Sequence, residues 1–130
     1  MLFRSHGTRG TWYAHASVGT LHVRPILDMR REGAAKMRAI AEEASALVRE
    51  YKGAYSGEHG DGLVRSEWVA WQFGSRLSKA FEALKDAFDP QGLLNPGKIV
   101  RASKMDDRTL FRFKPDYRNV DYKQIGRAHV

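Results

Sequence analysis

At 130 residues the chain has one domain's worth of sequence, and 42% apolar residues suffice for a single core. The absence of cysteine excludes disulfides, thiol catalysis and iron–sulfur ligation by this chain, and suits a cytoplasmic setting. A net charge of +7 raises nucleic-acid binding, but Arg30, Arg31, Lys36, Arg38, Arg49, Lys52 and Lys104 are mixed with acids and form no stripe interleaved with aromatics, the pattern of a solvated basic surface.

No apolar run reaches the length of a transmembrane helix, and the opening Met1-Leu2-Phe3-Arg4-Ser5-His6 lacks the pattern of a signal peptide. Residues 10–27 read as a β-hairpin, with Thr11-Trp12-Tyr13 and Leu21-His22-Val23 rich in β-branched and aromatic side chains. A two-residue turn at Val18-Gly19 would set Ser17 opposite Thr20, Ala16 opposite Leu21 and His15 opposite His22. The two histidines would then be direct cross-strand neighbours, with Cβ atoms roughly 5 Å apart.

Residues 32–52 are predicted helical, because Met37, Ile40, Ala41, Ala44, Leu47, Val48 and Tyr51 recur at the spacing of one buried face. Gly53 is a natural C-terminal cap. Ala54-Tyr55-Ser56 reads as a short strand delivering Glu58 and His59 to a glycine-rich loop. A second helical region spans residues 63–88, broken near Phe73-Gly74-Ser75, with Leu77, Ala80, Phe81, Leu84 and Phe88 on its apolar face. Asp89-Pro90 stops it, residues 91–98 form a turn-rich loop, and from Ala102 onward the polar pattern reads as a surface tail. Hairpin, helix, strand and helix together predict an α+β fold: an antiparallel sheet covered by helices on one face. Such a sheet is short of the three strands that stability normally requires.

A single strand histidine is usually structural. Two that meet across a hairpin, joined by Glu58 and His59 in Ser56-Gly57-Glu58-His59-Gly60-Asp61-Gly62, are a candidate metal set with open positions for substrate. Two histidines and one carboxylate suit catalytic zinc and also the facial triad of non-haem iron enzymes. Glu58 and His59 are adjacent, so both address one site only at a strand end or turn, which Gly57 and Gly60 permit. Arg24 lies two residues beyond His22, on the same strand face, and can clamp a carboxylate. Lys98 follows the rigid turn Asn95-Pro96-Gly97, which presents its ammonium to an anion or an electron-rich ring. Trp12, Trp68, Trp71 and Phe73 read as core or interface anchors.

Three blocks, residues 13–22, 56–62 and 88–98, occur here in one order. Together they resemble the C-terminal part of the FAD-linked oxidase family, flavoproteins that oxidise D-2-hydroxy acids such as D-lactate, glycolate and D-2-hydroxyglutarate. The resemblance spans residues 10–117. It implies a ferredoxin-like cap-domain fragment in which His15, His22 and Glu58 ligate a divalent metal, usually zinc. His59 would remove the hydroxyl proton, and Asn95 and Lys98 would lie near the flavin. It also implies an FAD-binding domain N-terminal to this region, and in larger members an iron–sulfur region beyond it. Neither a dinucleotide fingerprint nor another flavin-cradling segment is present in this sequence, so the isolated chain is expected to be inactive.

Two other readings compete. One is a flavin-independent metal-dependent hydrolase or oxygenase using the same histidines; the other is a basic α+β module binding nucleic acid. Neither accounts for the block ending at Lys98. On this reading residues 1–117 are a partial domain and 118–130 a tail. Residues 124–130, with Ile125-Gly126-Arg127-Ala128-His129-Val130, resemble the translation of a sequencing adapter, so His129 receives no role.

Overall fold

The computed structural model describes residues 2–57 and 59–118. Glu58 and the expected adapter-like segment at 124–130 lie outside the described residues. The fold is α+β: a two-stranded antiparallel sheet followed by helices. After a one-turn helix α1 (Leu2–Ser5), strand β1 (Gly10–His15) pairs with β2 (Thr20–Pro25). The connection takes four residues rather than two: a 3₁₀ turn, Ala16–Val18, closed by Gly19 in the left-handed region (φ 66°). The longer loop shifts the expected register by two, so that His15 faces Thr20 and Tyr13 faces His22. A shift of two preserves the strand period, and both histidines stay on one face. Phe3 of α1 is buried against the hairpin, its ring 5.0 Å from that of Trp12.

Helix α2 (Gly33–Glu50) buries Ile40 and Ala41 of the predicted face, and Ala34 beside them. Its last turn departs from it, with Leu47 and Tyr51 exposed and the small side chain of Ser45 filling the buried position. The helix ends in a Schellman arrangement. Gly53 N–H donates to Val48 O (2.8 Å) and Lys52 N–H to Arg49 O (3.0 Å), so the left-handed residue is Lys52 (φ 55°), one before the expected glycine cap. No strand forms at 54–56. The Tyr55 N–H is satisfied instead by the side chain of Gln72 (3.1 Å), a side-chain bond that replaces a ladder partner.

Helix α3 (Gly62–Arg65) leads through a 3₁₀ turn (Ser66–Trp68) into α4 (Val69–Phe88). The predicted break falls at Gly74, whose φ of 78° and ψ of 171° interrupt α4 in a conformation open essentially to glycine alone. Beyond it Phe81 packs edge-on against Phe73 (5.8 Å), whereas Leu77, Leu84 and Phe88 stand exposed.

The core is small: Ala41, Trp68 and Met105, with Met37 and Tyr55 against them. Met105 corrects the expectation of a solvated tail from Ala102 onward. Its side chain is buried and its N–H donates to Glu67 (2.8 Å). Arg38 fastens the same segment, reaching Glu67 with both terminal nitrogens (2.9 and 3.1 Å) and Asp106 with one (2.9 Å). The Arg38 guanidinium holds the Glu67 carboxyl below the usual range. A single apolar side chain and a shared ion cluster thus dock a segment whose composition is polar. No helix among the described residues is long and apolar enough to cross a membrane.

Candidate metal and substrate site

Alternation along the two strands sorts the hairpin's side chains onto two faces. Thr11, Tyr13 and His15 point the same way as their partners Arg24, His22 and Thr20. Trp12, Ala14, Leu21 and Val23 take the opposite face. The polar face carries the candidate chemistry.

On it, His15 and His22 are diagonal neighbours with ring centroids 4.9 Å apart, a contact that the two-residue register shift leaves intact. His59 arrives from the loop after α2, 5.0 Å from His22 and 6.4 Å from His15 between centroids. One nitrogen from each ring lies within 4.8 Å of the others. Nitrogens around a tetrahedral ion with bonds of about 2.0–2.1 Å stand ~3.4 Å apart, so small inward shifts of the rings suffice to seat one ion. His22 is half-buried, and His15 and His59 are exposed, leaving the cluster open to a small molecule.

Gly57 makes the convergence of loop and hairpin sterically feasible. A Cβ at this position would stand 2.9 Å from Thr20 Oγ1 and 3.1 Å from its methyl carbon. Thr20 is opposite His15, so this close approach brings the loop directly over the histidine row. On the far side of the loop, the Arg65 guanidinium donates to the Gly60 carbonyl, anchoring the turn to α3.

Arg24 shares the face of His22, as the spacing predicts. Its Nη2 donates to the Tyr13 hydroxyl (2.6 Å) and its guanidinium carbon lies 4.9 Å from the centre of the Tyr13 ring. The Tyr13 ring in turn stacks on His22, at 4.5 Å and 11°. Sequence reasoning named the two histidines and passed over Tyr13. Its signal was the strand period, since Tyr13 stands two residues before His15.

Asn95 and Lys98 sit on a separate loop, joined to α4 and to Ser66. Asp89 organises it: one carboxylate accepts Leu93 N–H (2.8 Å), Leu94 N–H (2.9 Å) and the Lys85 ammonium (2.5 Å). The Lys85 ammonium and these amides pull the Asp89 carboxyl down to about 2. Sequence reasoning treated Asp89 only as a helix stop. Asn95 adopts the left-handed region (φ 47°), and Ile99 N–H donates to Ser66 Oγ (2.9 Å), closing the loop onto the start of the second helical region. Leu93 and Leu94 are exposed, and the Lys98 ammonium donates to the Pro96 carbonyl (3.4 Å).

Comparison with known proteins identifies the family. Residues 1–99 match the family described as FAD linked oxidases, C-terminal domain. The chain is 46% identical over 99 residues to D-2-hydroxyglutarate dehydrogenase of Pseudomonas putida, covering 75% of this chain and 10% of that protein. It is 40% identical over 106 residues to the Escherichia coli protein of the same name, covering 81% and 10%. The glycolate oxidase subunit GlcD of Escherichia coli is 39% identical over 87 residues, covering 66% and 17%. The chain thus spans about a tenth of the length of the D-2-hydroxyglutarate dehydrogenases it matches. No solved structure matches it. With three-quarters of its length inside the family match, the chain belongs to the C-terminal domain family of the FAD-linked oxidases.

Proposed function

We propose that this chain supplies the substrate half of the active site in a flavin-dependent dehydrogenase that converts a D-2-hydroxy acid to a 2-oxo acid. The observation that carries the proposal is the convergence of His15, His22 and His59, with Arg24 on the same hairpin face. His15, His22 and Glu58 are the proposed ligands of a divalent metal, and zinc suits their nitrogen and carboxylate donors. When bound, such a metal polarises the substrate hydroxyl, while FAD accepts the hydride from C2.

The chain's own groups do the rest. Arg24 binds the substrate carboxylate through the donors that Tyr13 leaves available. A ring nitrogen of His59, whose ring stands 5.0 Å from that of His22, accepts the hydroxyl proton. Asn95 and Lys98 present an amide and an ammonium to the flavin. Completion of a ferredoxin-like cap, an FAD-binding domain contributed by a further part of the protein, an iron–sulfur partner and cytoplasmic residence belong to the same proposal.

A second reading has one specific observation in its favour. The nitrogens of all three histidines lie within 4.8 Å, which makes His59 a possible third ligand rather than the base. Metal content after zinc exposure and desalting tests both. About one zinc per chain, lost in His22→Ala and Glu58→Ala but retained in His59→Ala, supports the base assignment. Loss in His59→Ala as well favours ligation. No zinc on a folded wild-type chain refutes the site.

A further inference from the structure

We infer that Tyr13 is a positioning residue for this site, fixing the ring plane of His22 and the direction of Arg24; the inference rests on the metal-site reading above. Tyr13 is the direct cross-strand partner of His22, and the two rings lie 4.5 Å apart and nearly parallel, at 11°. Such a contact restricts rotation about the bond that carries the imidazole. The His22 ring also stands 4.9 Å from that of His15 and 5.0 Å from that of His59, both edge-on, so Tyr13 supplies the parallel contact. An imidazole held at one orientation presents its donor nitrogen toward His15 and His59 without first losing rotamer freedom.

The other end of Tyr13 acts on Arg24. The hydroxyl accepts from Nη2 (2.6 Å) and the guanidinium carbon stands 4.9 Å from the ring centre. One side chain therefore couples the proposed carboxylate clamp to the proposed metal ligand. The two contacts separate chemically: the ring carries the stack, and the hydroxyl carries the hydrogen bond. Tyr13→Phe removes only the second, whereas Tyr13→Val removes both and keeps a good strand former in an exposed position.

Cobalt(II) titration of the 130-residue chain, followed by its visible d–d absorption, provides the test, with urea unfolding of each variant alongside. The expected result is about tenfold weaker cobalt binding and an altered spectrum in Tyr13→Val, at an unchanged urea midpoint. Tyr13→Phe should restore affinity to within about threefold, with the wild-type spectrum, because the stack remains. Tyr13→Val that binds like wild type overturns the inference. So does Tyr13→Phe that is as weak as Tyr13→Val, or weakened binding that tracks a lowered urea midpoint. Wild-type chain that binds no cobalt, or binds it equally well after His22→Ala, overturns the metal site itself and the inference with it. The two failures are thus told apart by the wild type and His22→Ala alone.

Discussion

Replacing Met105 by alanine tests whether the segment after residue 102 belongs to the core. The side chain is 4% exposed and packs with Ala41 and Trp68. The substitution removes three heavy atoms beyond Cβ, worth about 2.4 kcal/mol at ~0.8 kcal/mol per buried methylene-sized group. A residual cavity adds to this figure, and large-to-alanine changes in cores span about 2–5 kcal/mol. The cluster is small and lies near the surface, where collapse is easy, so a loss of about 2–3 kcal/mol is expected. With a urea m-value of about 1–2 kcal/mol per molar, the midpoint falls by roughly 1–3 M. Trp68 touches the deleted side chain, so its fluorescence reports the transition locally. Met105→Leu nearly conserves volume and should cost less than about 1.5 kcal/mol. A Met105→Ala loss under about 0.5 kcal/mol, the range of a surface substitution, would show that this segment does not share the core.

Other consequences are as direct. Gly57→Val pushes a side chain into Thr20 and should lower cobalt affinity several-fold, with partial recovery in the Gly57→Val, Thr20→Ala double variant; equal affinity in all three would refute the close approach. Asp89 has its carboxyl held down to about 2, so the stabilisation it gives is present above the unfolded carboxylate range, near 4, and is lost as pH falls toward 2. Urea midpoints of wild type should therefore drop between pH 4 and about 2 by more than those of Asp89→Asn; parallel curves would refute the linkage. Gly74→Ala forces a side chain into a conformation open essentially to glycine, at a cost of about 1–3 kcal/mol in urea unfolding, whereas a stabilised variant would mean that the break is dispensable.

The sequence was informative where periodicity or spacing carried the signal. A spacing of seven from His15 to His22, with turn formers between them, brought both to one hairpin face even though the connection proved two residues longer than expected. The longer turn was not legible because a 3₁₀ turn closed by Gly19 uses the same residue types as a two-residue one. The break at Gly74 was legible, since a glycine interrupts a helical pattern there. Met105 was not, because one apolar residue in a polar stretch has no period and its burial depends on Ala41 and Trp68, far away in sequence. Lys52 took the left-handed position expected of Gly53, a difference of one residue that propensity does not resolve. Arg65 and Asp89 act through backbone groups of neighbouring loops, and such bonds leave no trace in composition.

The hairpin's two faces differ so completely that they also govern which changes of length this region tolerates. Histidines, Tyr13 and Arg24 occupy one face; Trp12, Leu21 and Val23 the other. Inserting or deleting one residue within either strand would turn that strand's chemical residues to the apolar side and its apolar residues to the chemical side. A change confined to the four-residue connection leaves the faces of both strands as they are. Length variation among descendants of this sequence should therefore collect in residues 16–19, and within the strands it should come only in pairs.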